Sequence, residues 1–230
     1  MWAGPHLTLS GDEAQHCSRV MRKQPGDTIE IFDGAGRVAV CEITHVSKSE
    51  VQARIESETR MEPFATAIHL LPALIKAEPF EWLLEKAVEL GATSIQPVIT
   101  DRTVIHLDAA QTEKKLAKWR RHMIESAKQC HTPFVPELKV PIAFAAGLQI
   151  AADFKLIPAL SEQTRTLKQV LPTTKPASVA FLIGPEGDFT AEEEAQAFAA
   201  GFTPVTLGPL ILRAETAAIA TLAILGHELQ

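Results

Sequence analysis

The alternation of apolar and polar positions divides the chain in two. From Thr28 to Phe32 the side chains alternate at period two, as a half-buried strand requires, and Pro25-Gly26 just before marks a turn. Asp33-Gly34-Ala35-Gly36 is a hairpin signal, and Val38 to Val46 and Val51 to Ile55 supply two further strands. Upstream, Ser10-Gly11-Asp12-Glu13 has capping-box spacing: the Ser10 hydroxyl can accept from the Glu13 amide while the Glu13 carboxylate reaches back, so a short helix is expected. Short strands joined by tight turns predict a small β-barrel. The polar run Glu56 to Pro63 reads as a linker, so the expected domains are residues 1–63 and 64–230.

Beyond the linker the pattern becomes an alternation of strands and helices. Ala67 to Leu74 is an apolar run of the kind buried on both faces of a sheet. Pro79 suits the first residue of a helix that runs to Leu90 and stops at Gly91. Ser94 to Ile99 is expected as a strand, and Asp108 with Gln111 as a capping box opening a long helix towards Gln129. Phe154 to Ile157, Val179 to Ile183 and Pro204 to Leu207 follow as short strands with helices between them. Such an α/β order implies a mostly parallel sheet, which binds ligands beyond the carboxyl ends of its strands.

Composition narrows the function classes. The 230 residues are 46% hydrophobic and 22% charged, as in a folded globular protein. No apolar run reaches the ~18 to 20 residues of a membrane span, and Met1 to Pro5 shows no secretory signal, so a cytoplasmic location is expected. The three cysteines, Cys17, Cys41 and Cys130, are widely spaced, which fits a reducing compartment better than a disulfide framework. None forms a CxxC and the eight histidines make no HExxH, so no metal site is indicated. Cys130-His131 are adjacent, but catalytic Cys/His pairs are assembled in space, and packing is the ordinary reading.

A net charge of −6 argues against binding nucleic acid by bulk attraction alone, though a local basic surface is enough for RNA. Charge is unevenly placed. Lys114, Lys115, Lys118, Arg120 and Arg121 crowd one helical stretch, where a solvated face is the commoner explanation. Residues 176–230 carry one Lys or Arg, Arg213, among seven carboxylates from Glu186 to Glu228.

The chemistry points to two turns. Val179 to Ile183 runs into Gly184-Pro185-Glu186-Gly187-Asp188-Phe189, after which Thr190 and Glu193 open a helix. A strand, a Gly-rich turn and a helix start let a ligand approach bare backbone donors, although an ordinary connecting turn has the same composition. The Gly spacing matches neither a P-loop nor the dinucleotide fingerprint. The second unit repeats the design: Pro204 to Leu207, then Gly208-Pro209-Leu210-Ile211-Leu212, then Arg213-Ala214-Glu215-Thr216 leading into a helix with almost no polar face. Such a helix must be buried on most sides or shared with a partner chain. Arg213 and Glu215 at its start are either a structural pair or a charge held where negative charge binds or develops.

Leu182 to Gly187, Leu207-Gly208-Pro209 and Ile211 to Ala217 together resemble the RsmE family of ribosomal RNA methyltransferases. His16-Cys17-Ser18-Arg19-Val20-Met21-Arg22 and Lys86 to Ala92 extend the resemblance across nearly the whole chain. It implies a PUA-like β-barrel followed by a SPOUT-type α/β domain with a C-terminal trefoil knot, acting as a homodimer. The implied activity is S-adenosylmethionine-dependent methylation of N3 of a uridine in small-subunit ribosomal RNA. The implied cofactor contacts are Pro158, Ile183, Gly184, Pro185, Glu186, Gly187, Leu207, Gly208, Ile211, Leu212 and Thr216, with Arg213 and Glu215 catalytic and Arg19, Arg22 and Lys23 facing RNA.

The chain departs from the family pattern at Asp188, where a second Gly is expected, at Leu210 and Gln129, where a basic residue is usual, at Pro79 and at Ala214. The cofactor turns survive, whereas several cations suited to RNA do not. Two alternatives therefore stand beside the first reading: a related methyltransferase acting on another RNA position, and a non-catalytic ribosome-assembly module that binds RNA.

Overall fold

The computed structural model describes residues 2–159, 164–171 and 173–230, without the side chains of Trp2 and Ala3. The chain separates into two compact units, Met1–Pro63 and Phe64–Gln230.

The first unit contains β1 (Trp2–Ala3), β2 (His6–Ser10), a short α1 (Gly11–Gln15) and a single wide π-type turn (His16–Val20), then β3 (Thr28–Phe32), β4 (Arg37–Val46) and β5 (Glu50–Arg60). The strands form a five-stranded antiparallel sheet in the order β1-β2-β5-β4-β3. Among the described residues no ladder joins β1 to β3, so the expected barrel is an antiparallel sheet with two edges. Period-two alternation places Leu7, Ile29, Cys41, Ile43 and Val51 on one face, where they pack with Ala14 and Cys17. Burial pushes both the Cys17 and Cys41 thiols above their ordinary value, so these are packing groups and not poised nucleophiles.

Two expectations fail here. Ser10 occupies the N-cap of α1, but its side chain makes no cap hydrogen bond. The polar stretch expected as a linker is strand as far as Arg60, because its backbone pairs with β4 from Arg37 to Val40; across that ladder Arg37 Nε and Nη2 donate to the two Glu58 carboxylate oxygens at 2.7 Å.

The second unit runs β6 (Ala67–Pro72), α2 (Ala77–Glu89), β7 (Ser94–Ile95), β8 (Val98–Ile99), α3 (Ala109–Cys130), β9 (Glu137–Leu138), β10 (Ile142–Ala143), α4 (Phe144–Gly147) and β11 (Phe154–Pro158). There follow β12 (Arg165–Thr166), α5 (Leu167–Val170), β13 (Ser178–Ile183), α6 (Ala191–Ala199), β14 (Thr203–Thr206) and α7 (Ala214–Leu229). Seven strands form a parallel sheet in the order β12-β14-β11-β13-β6-β7-β9, and β8 pairs separately with β10. The strand expected over Ser94 to Ile99 is therefore two strands in two sheets. Pro97 lies at the break; it has no N–H to continue a ladder, and its carbonyl accepts from Ile142 N at 3.1 Å.

β13 lies near the middle of the sheet and is buried from Val179 to Ile183, as its unbroken apolar run requires. Leu71, Ala180, Leu182, Ile157, Phe144, Phe189 and Phe202 form one continuous core with its neighbours. Phe181 is 0% exposed, so Phe181→Ala leaves a cavity that its surroundings fill only in part. The expected loss is about 3–5 kcal/mol, read as an earlier midpoint in denaturant unfolding of the second unit.

Two of the helices, α3 and α6, begin at the capping boxes that their spacing predicts. Asp108 accepts from Gln111 N at 2.7 Å while Gln111 Oε1 accepts from Asp108 N, and Thr190 with Glu193 makes the same reciprocal pair at α6. Pro79 is the third residue of α2, not the first, and still falls in the turn whose N–H groups have no helical partner. α7 buries Ala218, Thr221, Leu222, Leu225 and Leu229 along one side and leaves Thr216, Ala223 and Ile224 exposed on the other.

Candidate functional site

Four strands of the parallel sheet, in the order β14-β11-β13-β6, end at one cavity of about 670 Å³. β6 leads to Lys76 and Pro79, β11 to Pro158 and Ala159, β13 to Gly184 through Asp188, and β14 to Leu207 through Glu215. This is the carboxyl edge, where strand-to-helix turns present free backbone donors.

The turn after β13 is short. Asp188 N donates to Pro185 O at 2.9 Å, closing it, and Asp188 itself sits at φ +60°. A second glycine would occupy that left-handed conformation without strain; Asp tolerates it because its short carboxylate bonds locally, here accepting from Phe189 N at 2.9 Å. The departure at Asp188 thus preserves the backbone path. Gly184 is closely packed: an added Cβ would lie 3.0 Å from Asp188 Oδ1 and 3.3 Å from the Phe189 ring, so these side chains would have to give way. Glu186 Oε1 accepts from Lys76 N at 3.4 Å, linking the turn to the N-terminus of α2. Behind it, burial raises the Glu194 carboxyl above its ordinary range, and the nearby Asp188 charge adds to the rise.

The turn after β14 depends on Gly208 at φ +132°, a backbone state that side-chain-bearing residues avoid. The Thr206 hydroxyl fastens it by accepting from Gly208 N at 3.2 Å and donating to Gly208 O at 3.0 Å. Leu210 and Ile211 follow at 75% and 80% exposure, far more open than aliphatic side chains of a folded core. Arg213 is the exposed N-cap residue of α7, and Glu215, in the first turn, is 8% exposed. Among the described residues no ion pair joins them, so the structural-pair explanation of this couple lacks its contact. Glu215 stands instead in the first turn of α7, at the N-terminal end of that helix.

The cavity collects Pro158, Ile183, Gly184, Pro185, Glu186, Gly187, Leu207, Gly208, Ile211, Leu212, Arg213 and Glu215. Thr216 is exposed on α7 and does not line it. Lys76, Ala159, Val205, Thr206 and Ala217 line it without having been anticipated. Lys76 had a readable signal, since it closes the apolar run of β6 at the carboxyl edge; Val205 and Ala217 had none, being ordinary strand and helix residues.

In the first unit, Arg19 lies on the π-type turn and Arg22 adopts φ +53°, with exposed Val20 and Met21 between them. Lys23 Nζ donates to Thr28 O at 3.1 Å. The basic run on α3 is partly engaged in its own fold: Lys118 pairs with Glu81, Lys115 lies 5.6 Å from the Trp119 ring centre, and Arg120 Nη2 donates to Leu138 O at 3.1 Å. Among the described residues no group of His, Cys, Asp and Glu could hold a metal ion, and no helix is long and apolar enough to cross a membrane.

Comparison with known proteins places these features in a family context. A family described as the RNA methyltransferase domain matches residues 62–226, and one described as the RNA methyltransferase PUA domain matches residues 9–56. The ribosomal RNA small subunit methyltransferase E of Synechocystis sp. is 32% identical over 222 residues, covering 94% of this chain and 71% of that protein. The protein of the same name from Bacillus subtilis is 30% identical, covering 97% of this chain and 91% of its own length. Among solved structures, a methyltransferase of Legionella pneumophila in complex with the cofactor SAM superposes with a TM-score of 0.92, at 33% identity over 99% of this chain and 93% of that one. The ribosomal RNA small subunit methyltransferase E of Neisseria gonorrhoeae, bound to S-adenosyl methionine, superposes with a TM-score of 0.88, at 32% identity over 98% of this chain and 93% of that one.

Proposed function

Because the chain belongs to the RNA methyltransferase family, whose domain spans residues 62–226, we propose that it methylates N3 of a uridine in small-subunit ribosomal RNA, using S-adenosylmethionine. The observation that carries this reading is the cavity at the ends of β14, β11, β13 and β6, bordered by two Gly-Pro turns and by Arg213 and Glu215.

The cavity suits the cofactor. Its volume falls in the range of small-ligand sites, and Pro158, Ile183, Leu207 and Leu212 offer apolar surface for an adenine ring. Backbone of the turns at Gly184 and Gly208 supplies polar partners without side-chain bulk. The cofactor, when bound, supplies the methyl group on a sulfonium centre; the protein supplies placement and charge. N3 of uracil must lose its proton as the new N–C bond forms. Glu215, buried at the cavity wall, takes that proton or orients the base. Arg213, exposed at the cavity mouth, stabilises the negative charge spread over the uracil oxygens.

The rest of the reading follows the sequence resemblance described above. The first unit acts as a PUA-like RNA-binding module, with Arg19, Arg22 and Lys23 on phosphates. The segment from β13 to α7 forms a trefoil knot that builds the cofactor turns. The exposed apolar strip of α7 and the Leu210-Ile211 loop meet a second copy in a homodimer working in the cytoplasm. Mass spectrometry of small-subunit ribosomal RNA from a strain lacking the gene tests the central claim. One 3-methyluridine should disappear and return when the purified protein acts on that RNA with S-adenosylmethionine. A different missing methyl group would move the target, and an unchanged RNA would refute the reading.

A further inference from the structure

We propose that Arg102 is a positioning residue for the cofactor, acting through the turn after β13 from outside the cavity. The inference rests on the reading of that cavity as the cofactor site. Arg102 is not among its lining residues. Its Nη1 donates to Gly187 O at 2.6 Å and to Phe189 O at 3.3 Å, two carbonyls on the segment that leaves the cavity wall for α6. Its aliphatic stem covers Gly187: a Cβ built there would lie 3.3 Å from Arg102 Cδ and 3.5 Å from Arg102 Cβ. A side chain at position 187 would press on this stem.

The contact belongs to a closed circuit of hydrogen bonds. Arg102 and Asp101 sit on a turn whose ends are locked, with Thr100 N donating to Thr103 Oγ1 at 3.0 Å and Thr103 N to Thr100 O at 3.1 Å. Both threonines are buried. Asp101 N donates to Glu193 Oε1 at 2.9 Å, and Glu193 Oε2 accepts from Thr190 N, also at 2.9 Å. Thr190 N shares a peptide plane with Phe189 O, the second acceptor of Arg102. Gly187 O shares one with Asp188 N, which closes the cavity turn on Pro185 O. Two planar peptide units are thus gripped on both edges. Bonds from a charged guanidinium to two carbonyls resist rotation of those planes better than neutral bonds do. Without Arg102 the turn keeps its internal bond but loses this outer hold, so the ligand must order it on binding and affinity falls. The cost is confined to binding, because Arg102 is exposed and its removal opens no core cavity.

The test is calorimetric titration with S-adenosylhomocysteine, paired with steady-state kinetics on Arg102→Ala, Arg102→Lys and Arg102→Met. For Arg102→Ala the expected result is a Kd and a KM for the cofactor raised about tenfold, with kcat within about threefold and the melting temperature of the unliganded protein little changed. Arg102→Lys keeps a charged donor and should recover most of the loss. Arg102→Met keeps an apolar stem over Gly187 but no donor; it should show the same loss as alanine and serves if the alanine variant does not fold. An affinity within twofold of wild type in the alanine or the methionine variant would overturn the proposal. So would a fall in kcat at unchanged KM, which assigns Arg102 to the RNA or to the chemistry. Failure of the wild-type protein to bind S-adenosylhomocysteine is a separate outcome, refuting the reading of the cavity itself.

Discussion

Arg213→Ala should lower kcat for methyl transfer by about 10²- to 10³-fold while the Kd for S-adenosylhomocysteine stays within about twofold. The separation follows from where the residue stands. Arg213 is the N-cap residue of α7, exposed at the cavity, and among the described residues it has no ion-pair partner. Its removal therefore strands no buried carboxylate in the folded protein, and the stability loss should be small. On the proposed mechanism, what is lost is a fixed positive charge at the point where uracil oxygens gather negative charge as N3 is methylated. That interaction exists in the transition state and hardly before it, so kcat and kcat/KM for RNA should fall together. A variant that turns over at the wild-type rate would remove Arg213 from the catalytic assignment. Glu215→Gln separates the remaining roles: a base is lost with its charge, whereas a group that only orients survives as an amide.

Gly208→Ala should weaken cofactor binding out of proportion to its size. At φ +132° a methyl group meets no neighbouring atom within 4 Å, so the penalty is backbone strain and not a clash. Strain of that kind costs on the order of 1–3 kcal/mol, which corresponds to roughly 5- to 150-fold in affinity if the turn relaxes when empty. Gly201→Ala is the internal control, since Gly201 sits at φ +88° with equal space around it but away from the cavity. Both variants should melt earlier, and only Gly208→Ala should need more S-adenosylhomocysteine to recover its melting temperature. Equal ligand dependence in the two would detach the β14 turn from binding.

Much of this arrangement is legible along the chain because it is local. The capping boxes at Asp108 and Gln111 and at Thr190 and Glu193 form as their spacing requires. The apolar runs of β6 and β13 become central parallel strands because only a sheet covered on both faces buries every residue of such a run. The Gly-Pro turns announce the cavity, since glycine before a helix or loop permits conformations other residues resist.

The departures have a common cause. Ser10 has the right neighbours for a side-chain cap and does not make it. Glu56 to Arg60 looks like a linker until Arg37, 21 residues away from Glu58, pairs across the ladder. Lys76 and Arg102 belong to the neighbourhood of the turn after β13 only because Glu186 reaches one and Gly187 receives the other, across sequence separations of 110 and 85 residues. Thr216 moves the other way, in line with a cavity residue in sequence yet on the outer side of α7.

The sequence alone determined the α/β alternation of the second part, the alternating strands of the first, the helix starts at Asp108 and Thr190 and the two glycine turns. Each depends on groups within about four residues, the reach of a capping bond or a hairpin. Tertiary structure decided the sheet order β14-β11-β13-β6, which carries four separate turns to one cavity, and the hold of Arg102 on one of them. Strand order is chosen by which faces bury together and which crossovers stay right-handed, a property of the whole chain that no single segment carries.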